Sequence, residues 1–113
     1  MVGDVIRPFQ KLQFHVRDEE SSRTNILTQM HKYARHAKET GITPLGALVF
    51  SCVARGSELY GEADVDALAI QAALPGIAIS GMNCNGEIGS HAGSTHMYGF
   101  TTVVAVVTDN QGK

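Results

Sequence analysis

The stretch "NCNGEIGSH", residues 83–91, holds a thiol, a carboxylate and an imidazole within nine positions. Cys84 becomes a nucleophile where a base or a cation favours its thiolate. His91 and His96 are the nearest imidazoles in sequence. A cysteine and a histidine with six residues between them, in a loop, match no catalytic signature, and a reduced, buried structural cysteine is the simpler reading. Cys84, His91 and His96 are also donor types that zinc accepts, but their spacing fits no standard module. The expectation is therefore no catalytic residue, no metal and no cofactor, with thiol chemistry at Cys84 as the enzymatic alternative.

Glu87 is a different case. It is the sole carboxylate between Asp66 and Asp109, flanked by Gly86 and Ile88. A partly desolvated carboxylate needs a partner. Arg55, in "SCVARG", follows an apolar run and is the expected counter-charge. Two readings stay open. One is a structural ion pair locking two loops at one end of a sheet. The other is a pair that holds a small polar ligand, with Glu87 facing an ammonium and Arg55 a carboxylate.

The glycines at 81, 86, 89, 93 and 99 permit close backbone approach and positive φ. Their spacing is neither a P-loop nor a dinucleotide fingerprint, so nucleotide binding by those routes is not expected.

The elements that must position these residues are legible in outline. "KLQFHVRD", residues 11–18, alternates Leu12, Phe14 and Val16 with Gln13, His15 and Arg17, which predicts a half-buried strand. In residues 19–41, Ile26, Leu27, Met30, Tyr33, Ala34 and Ala37 recur at helical spacing. Ser21 or Ser22 is the expected cap, Glu19 and Glu20 suit the positive end, and Gly41 is the expected stop. "LGALVFSCV", residues 45–53, reads as a strand buried on both sides. "DVDALAIQAALPG" reads as a short helix capped by Asp64 and ended by Pro75-Gly76. "IAIS", residues 77–80, is a strand. Residues 81–96 read as a long Gly-rich loop, a kind that is often functional. "MYGFTTVVAVV" is the last strand. The expected fold is an α/β or α+β domain over residues 1–113. Its sheet, mixed or antiparallel, is packed by two helices in the order β-α-β-α-β-β.

Composition narrows the partners. The chain has 113 residues, 43% hydrophobic and 18% charged, with a formal net charge of -2. That balance gives no field for nucleic acid or anionic membrane. Eight of the nine Lys+Arg precede Gly56, while residues 56–112 carry six acids and no Lys or Arg. Mostly buried sheet and neutral loop would explain this, and so would a surface that meets another chain. No run is long enough to span a bilayer, and "MVGDVIRPFQ" has no signal-peptide core. Cys52 and Cys84 do not make a disulfide framework and suit an intracellular protein.

Five ordered blocks carry a family resemblance: "LQFHVRD", "LVFSCVARG", "LYG", "SGMNCNGEIG" and "YGFTT". Together, over residues 2–107, they resemble the C-terminal domain of the FIST family (F-box and intracellular signal transduction), closest to its cyanobacterial and plant-type members. The positions that match are Arg17, Asp18, Cys52, Arg55, Gly56, Gly81, Asn85, Gly86, Glu87, Ile88, Gly89, Gly99 and Thr101. Met82-Asn83, Ser90 and Tyr98 depart from the family pattern, and the first and last of these would reshape a pocket. The resemblance implies a non-catalytic intracellular sensory module for an amino-acid-like ligand, in a signalling or F-box adaptor protein of the cytoplasm or chloroplast. It also implies a protein partner, or the N-terminal FIST half that usually precedes such a domain. A structural or accessory subunit docking into a larger assembly is the alternative. The expected ligand-binding set is Arg55, Gly56, Cys84, Asn85, Gly86, Glu87, Gly89, His91 and Thr101.

Overall fold

The structure, a computed structural model, describes residues 5–109. Helix α1 spans Glu19–Thr40. Its cap is Asp18 rather than Ser21 or Ser22: Asp18 Oδ1 accepts the Ser21 N–H at 2.9 Å. A carboxylate both satisfies an orphan donor and meets the positive end of the helix. Gly41 ends the helix at φ 71°. The Ile42 N–H then reaches back to the Ala37 carbonyl at 2.9 Å, closing the last turn.

Strand β1, Thr43–Cys52, is the centre of a three-stranded sheet. After it come a 3-10 turn over Val53–Arg55, the one-turn helix α2 over Ser57–Tyr60, and helix α3 over Val65–Ala73. That connection delivers strand β2, Ala78–Cys84, parallel to β1. Parallel neighbours require such a crossover. Strand β5, Thr102–Asp109, pairs antiparallel on the other side of β1, so the order is β2-β1-β5. Between β2 and β5 lies a separate hairpin of β3, Glu87–His91, and β4, Ser94–Tyr98.

The core lies on one face of the sheet. Ile26 and Met30 of α1 and Ala69 and Ile70 of α3 pack against Ala47 and Val49 of β1, with Val104 and Val106 of β5 alongside. The fold class is as expected, a mixed sheet packed by helices. No helix among the described residues is long and apolar enough to cross a membrane.

Several expectations fail. Residues 11–18 form no strand; Phe14 is 99% and Val16 91% exposed. Alternation shows which side chains would share a face, but a strand also needs a neighbouring backbone to pair with. The order therefore begins with α1, not with a strand. The loop expected over 81–96 is strand instead: β2 continues through Gly81 to Cys84, and β3 and β4 follow. Ala92 and Gly93, at φ 49° and 80°, make the two-residue turn that matches hairpin twist. β1 is covered by helices on one face only, and on the other face the hairpin reaches just one end, with Gly89 close to Val103 of β5. Leu48 of β1 and Val107 of β5 remain 44% and 52% exposed there. Asp64 precedes α3 at φ 61°, but its side chain makes no capping bond. The second half is not mostly buried either, since β2 and β4 are largely exposed.

Candidate functional site

The carboxyl end of β1 builds the candidate site. As the strand leaves the sheet, the 3-10 turn swings Arg55 inward, where it is buried. The next turn, α2, ends at Gly61 with φ 68° and buries Tyr60 beside it. Asp66 enters from the first turn of α3, on the same stripe as Ala69 and Ile70.

Arg55 meets Asp66 as a fork. Its Nε donates to Oδ2 at 3.0 Å and its Nη2 to Oδ1 at 3.0 Å. Nη2 also donates to the Tyr60 hydroxyl at 2.6 Å, and that hydroxyl donates to Asp66 Oδ1 at 3.1 Å. Ser51 of β1 donates to Asp66 Oδ2 at 2.8 Å, and Thr102 of β5 donates to the same oxygen. Asp66 is thus saturated with donors from two strands and two helical turns. Burial alone would raise its pKa, but the bonds from Arg55, Thr102 and Ser51 outweigh that and hold it below 3.8. Burial, and then the Asp66 charge, push the Tyr60 phenol up to about 12.

Two clefts share Arg55. One, of about 650 Å³, opens at the carboxyl ends of the parallel strands β1 and β2. Ser51, Arg55, Gly56, Glu58, Asp64 and Asn83 are among its lining residues. The crevice outside the carboxyl ends of parallel strands is where open α/β sheets place ligands. The other, of about 850 Å³, lies between α1, β5 and the hairpin, with Tyr33, Arg55, His91, Tyr98 and Thr101 on its wall. Among the described residues, no acidic side chain lines this second groove.

The residues expected to bind ligand are split between these places. Arg55 lines both clefts, Gly56 the first, and Gly89, His91 and Thr101 the second. Cys84, Asn85, Gly86 and Glu87 line neither. The expected Arg55–Glu87 pair is not formed, because Asp66 takes the guanidinium first. Glu87 is 1% exposed. Its Oε2 accepts the Thr101 N–H at 3.3 Å, and its Oε1 has no hydrogen-bond partner among the described residues. Cys84 is half-buried and donates weakly to the Met82 carbonyl at 3.8 Å. Cys84, His91 and His96 do not come together. Among the described residues no three His, Cys, Asp or Glu side chains are grouped to hold a metal ion.

Sequence reasoning missed Asp66, Tyr60, Ser51 and Thr102. One signal was available. Asp66 is an acid on the apolar stripe of α3, three and four residues before Ala69 and Ile70, and a carboxylate there must be paired.

The comparisons agree with the resemblance at the level of the family, not with its cyanobacterial and plant-type or F-box detail. The FIST C domain family matches residues 1–90. The chain belongs to the FIST C family. It is 34% identical over 108 residues to the uncharacterized protein Rv0628c of Mycobacterium tuberculosis, a match that takes in 96% of this chain and 27% of that protein. It is also 34% identical over 109 residues to the uncharacterized protein Mb0898c of Mycobacterium bovis, covering 96% of this chain and 28% of the relative. The FIST C chain described here therefore spans about a quarter of the length of the curated relatives it matches. No solved structure matches it significantly. The family match stops at residue 90, so "YGFTT" and the Thr101 and Thr102 contacts lie beyond it.

Proposed function

We propose that this FIST C domain is a non-catalytic sensory module that binds a small polar, ammonium-bearing ligand of amino-acid type. The observation that carries the reading is the cleft at the carboxyl ends of β1 and β2, with Arg55 fixed in its wall. Glu58 and Asp64 also line that cleft and form no ion pair among the described residues. They supply acceptors for an ammonium. The guanidinium gives its Nε and Nη2 hydrogens to Asp66 and Tyr60, which leaves the Nη1 N–H groups, held in a fixed orientation, to donate to a carboxylate. This moves the site away from Glu87 and onto the connection between β1 and α3.

Calorimetry of the chain against a panel of amino acids tests the reading. At least one should bind, and the double variant Glu58→Gln, Asp64→Asn should weaken it at least tenfold without lowering the melting temperature of the free chain. If no panel member binds, or the double variant binds as well as the parent, the reading is wrong.

A second reading, that of an accessory domain docking into a larger FIST protein, is favoured by the apolar sheet face opposite the helices. Leu48, Met82 and Val107 are exposed there, and this chain matches only 27% of a relative's length. Co-purification with the N-terminal part of such a relative, lost on Leu48→Asp, is its test. Coupling to an F-box adaptor and a chloroplast location would be finer versions of the same reading; the relatives matched here are mycobacterial.

A further inference from the structure

Strand β5 is an edge strand with an unusual edge. From Thr102 to Thr108 it carries no charge and no proline. Natural edges are usually blunted by such residues or by bulges. The register shift in its pairing with β1 lies at the far end, between Pro44 and Gly46.

The larger groove follows this edge. Val103 comes from one face of β5 and Val104 and Val106 from the other, so the groove wraps the strand's side rather than one face. One wall is α1, with Ile26, Met30 and Tyr33; the opposite wall is the hairpin, with Ser90 and His91. The slot is therefore bounded by an edge strand below, an apolar wall and a polar wall. An added strand with alternating apolar and polar residues would match both walls.

The chain itself contains such a segment. Residues 11–17 alternate as a strand should, yet they join no strand among the described residues, and Leu12, Phe14 and Val16 are 58%, 99% and 91% exposed. They project as an arm from the amino end of α1. The radius of gyration is 16.2 Å, against about 13 Å for a compact chain of this length. The arm's root is fixed beside the slot. Arg17 stacks on Phe100 at 3.4 Å, one residue before Thr101, and Phe100 lines the groove. The arm and the eight-residue strand β5 are nearly equal in length.

We infer that the 113-residue chain forms a twofold dimer by arm exchange, in which residues 11–17 of each copy add antiparallel to β5 of the other. Leu12, Phe14 and Val16 then face Ile26, Met30 and Tyr33, while Gln13 and His15 face the hairpin. A root at the groove mouth is what reciprocal exchange requires, since each arm has only a short distance to cross near the twofold axis. The unpaired edge of β5 is satisfied in both copies.

Sedimentation equilibrium with hydrogen exchange tests this. The chain should sediment at twice its 12.1 kDa mass, with the edge-facing amides of β5 protected. The variant Phe14→Asp, Val16→Asp should sediment as a monomer and lose that protection. Its circular dichroism should be unchanged, because both side chains are exposed in the free chain. A parent that stays monomeric at millimolar concentration overturns the inference. So does a monomer whose β5 edge is protected by its own arm, or a dimer that survives the double substitution.

Discussion

Arg55 and Asp66 meet through two parallel hydrogen bonds of 3.0 Å, with both side chains about nine-tenths buried. The pair ties the end of β1 to the start of α3. Through Ser51 and Thr102 the same carboxylate also clamps β1 to β5. A buried pair of this kind contributes little over an apolar pair of the same shape, but breaking it is costly. Asp66→Asn should therefore destabilise the chain by about 3 kcal/mol, the lower end for an uncompensated buried charge. Arg55→Lys should also destabilise, because an ammonium has no fork to match two carboxylate oxygens. Urea unfolding checks both. Midpoints equal to the parent's would mean that the pair does not hold the crossover.

The same network gives stability a shape in pH. The folded pKa of Asp66 lies below its ordinary 3.8. An unfolded chain then takes up a proton before the folded one does, so this contribution is complete above about 3.8 and is lost as pH falls below it. Tyr60 works on the other side. Its phenol is raised from 10.0 to about 12, so the folded state keeps a proton that the unfolded state has lost. Stability should therefore decline between about pH 10 and 12. Tyr60→Phe should flatten that alkaline decline relative to the parent in thermal melts at pH 8 and pH 11. A decline of equal steepness in the variant would assign it to other groups.

Gly81 offers a test of the parallel pairing. It sits opposite Val49 in the β1–β2 register. A Cβ built there would run into the Val49 carbonyl, which is backbone and cannot rotate away. Gly81→Ala should thus separate the strands locally and cost several kcal/mol, as overpacking against backbone does. The neighbouring Ser80→Ala, on the same strand, should change little. Equal melting temperatures for the two variants would show that β2 is not held as close as the register implies.

How much of this was legible follows from where the information lies. α1 was readable because its stripe, its acidic first turn and Gly41 are all local. β1 and β5 were readable as long apolar runs, and α3 as a short periodic one. The failures share a cause. Whether residues 11–18 are a strand depends on a partner backbone that no local pattern encodes. Whether β1 is covered on both faces depends on which side both helices choose. The turn at Ala92-Gly93 was hidden because alanine, unlike asparagine, does not advertise a positive φ. At the site, Arg55 was found but assigned the wrong carboxylate. Glu87 was the more conspicuous acid in sequence, whereas Asp66 looked like an ordinary first-turn residue of a helix.

Glu87 then poses its own question, and its answer bears on the hairpin rather than on the cleft. It opens β3, and its Oε2 accepts the Thr101 N–H just before β5 begins. That bond joins the root of the hairpin to the root of β5. The other oxygen, Oε1, is buried without a partner among the described residues. A buried polar oxygen left unsatisfied costs about 1–3 kcal/mol, and an amide is cheaper to bury than an ionised carboxylate. Glu87→Gln keeps an acceptor for Thr101 and should leave the melting temperature unchanged or raise it by a few degrees. Glu87→Ala removes the acceptor, leaves a cavity and should lower stability by about 2 kcal/mol. Differential scanning calorimetry separates the cases. If Glu87→Gln destabilised the chain as much as Glu87→Ala, the negative charge itself would be what this position needs, and Oε1 would have to face a cation.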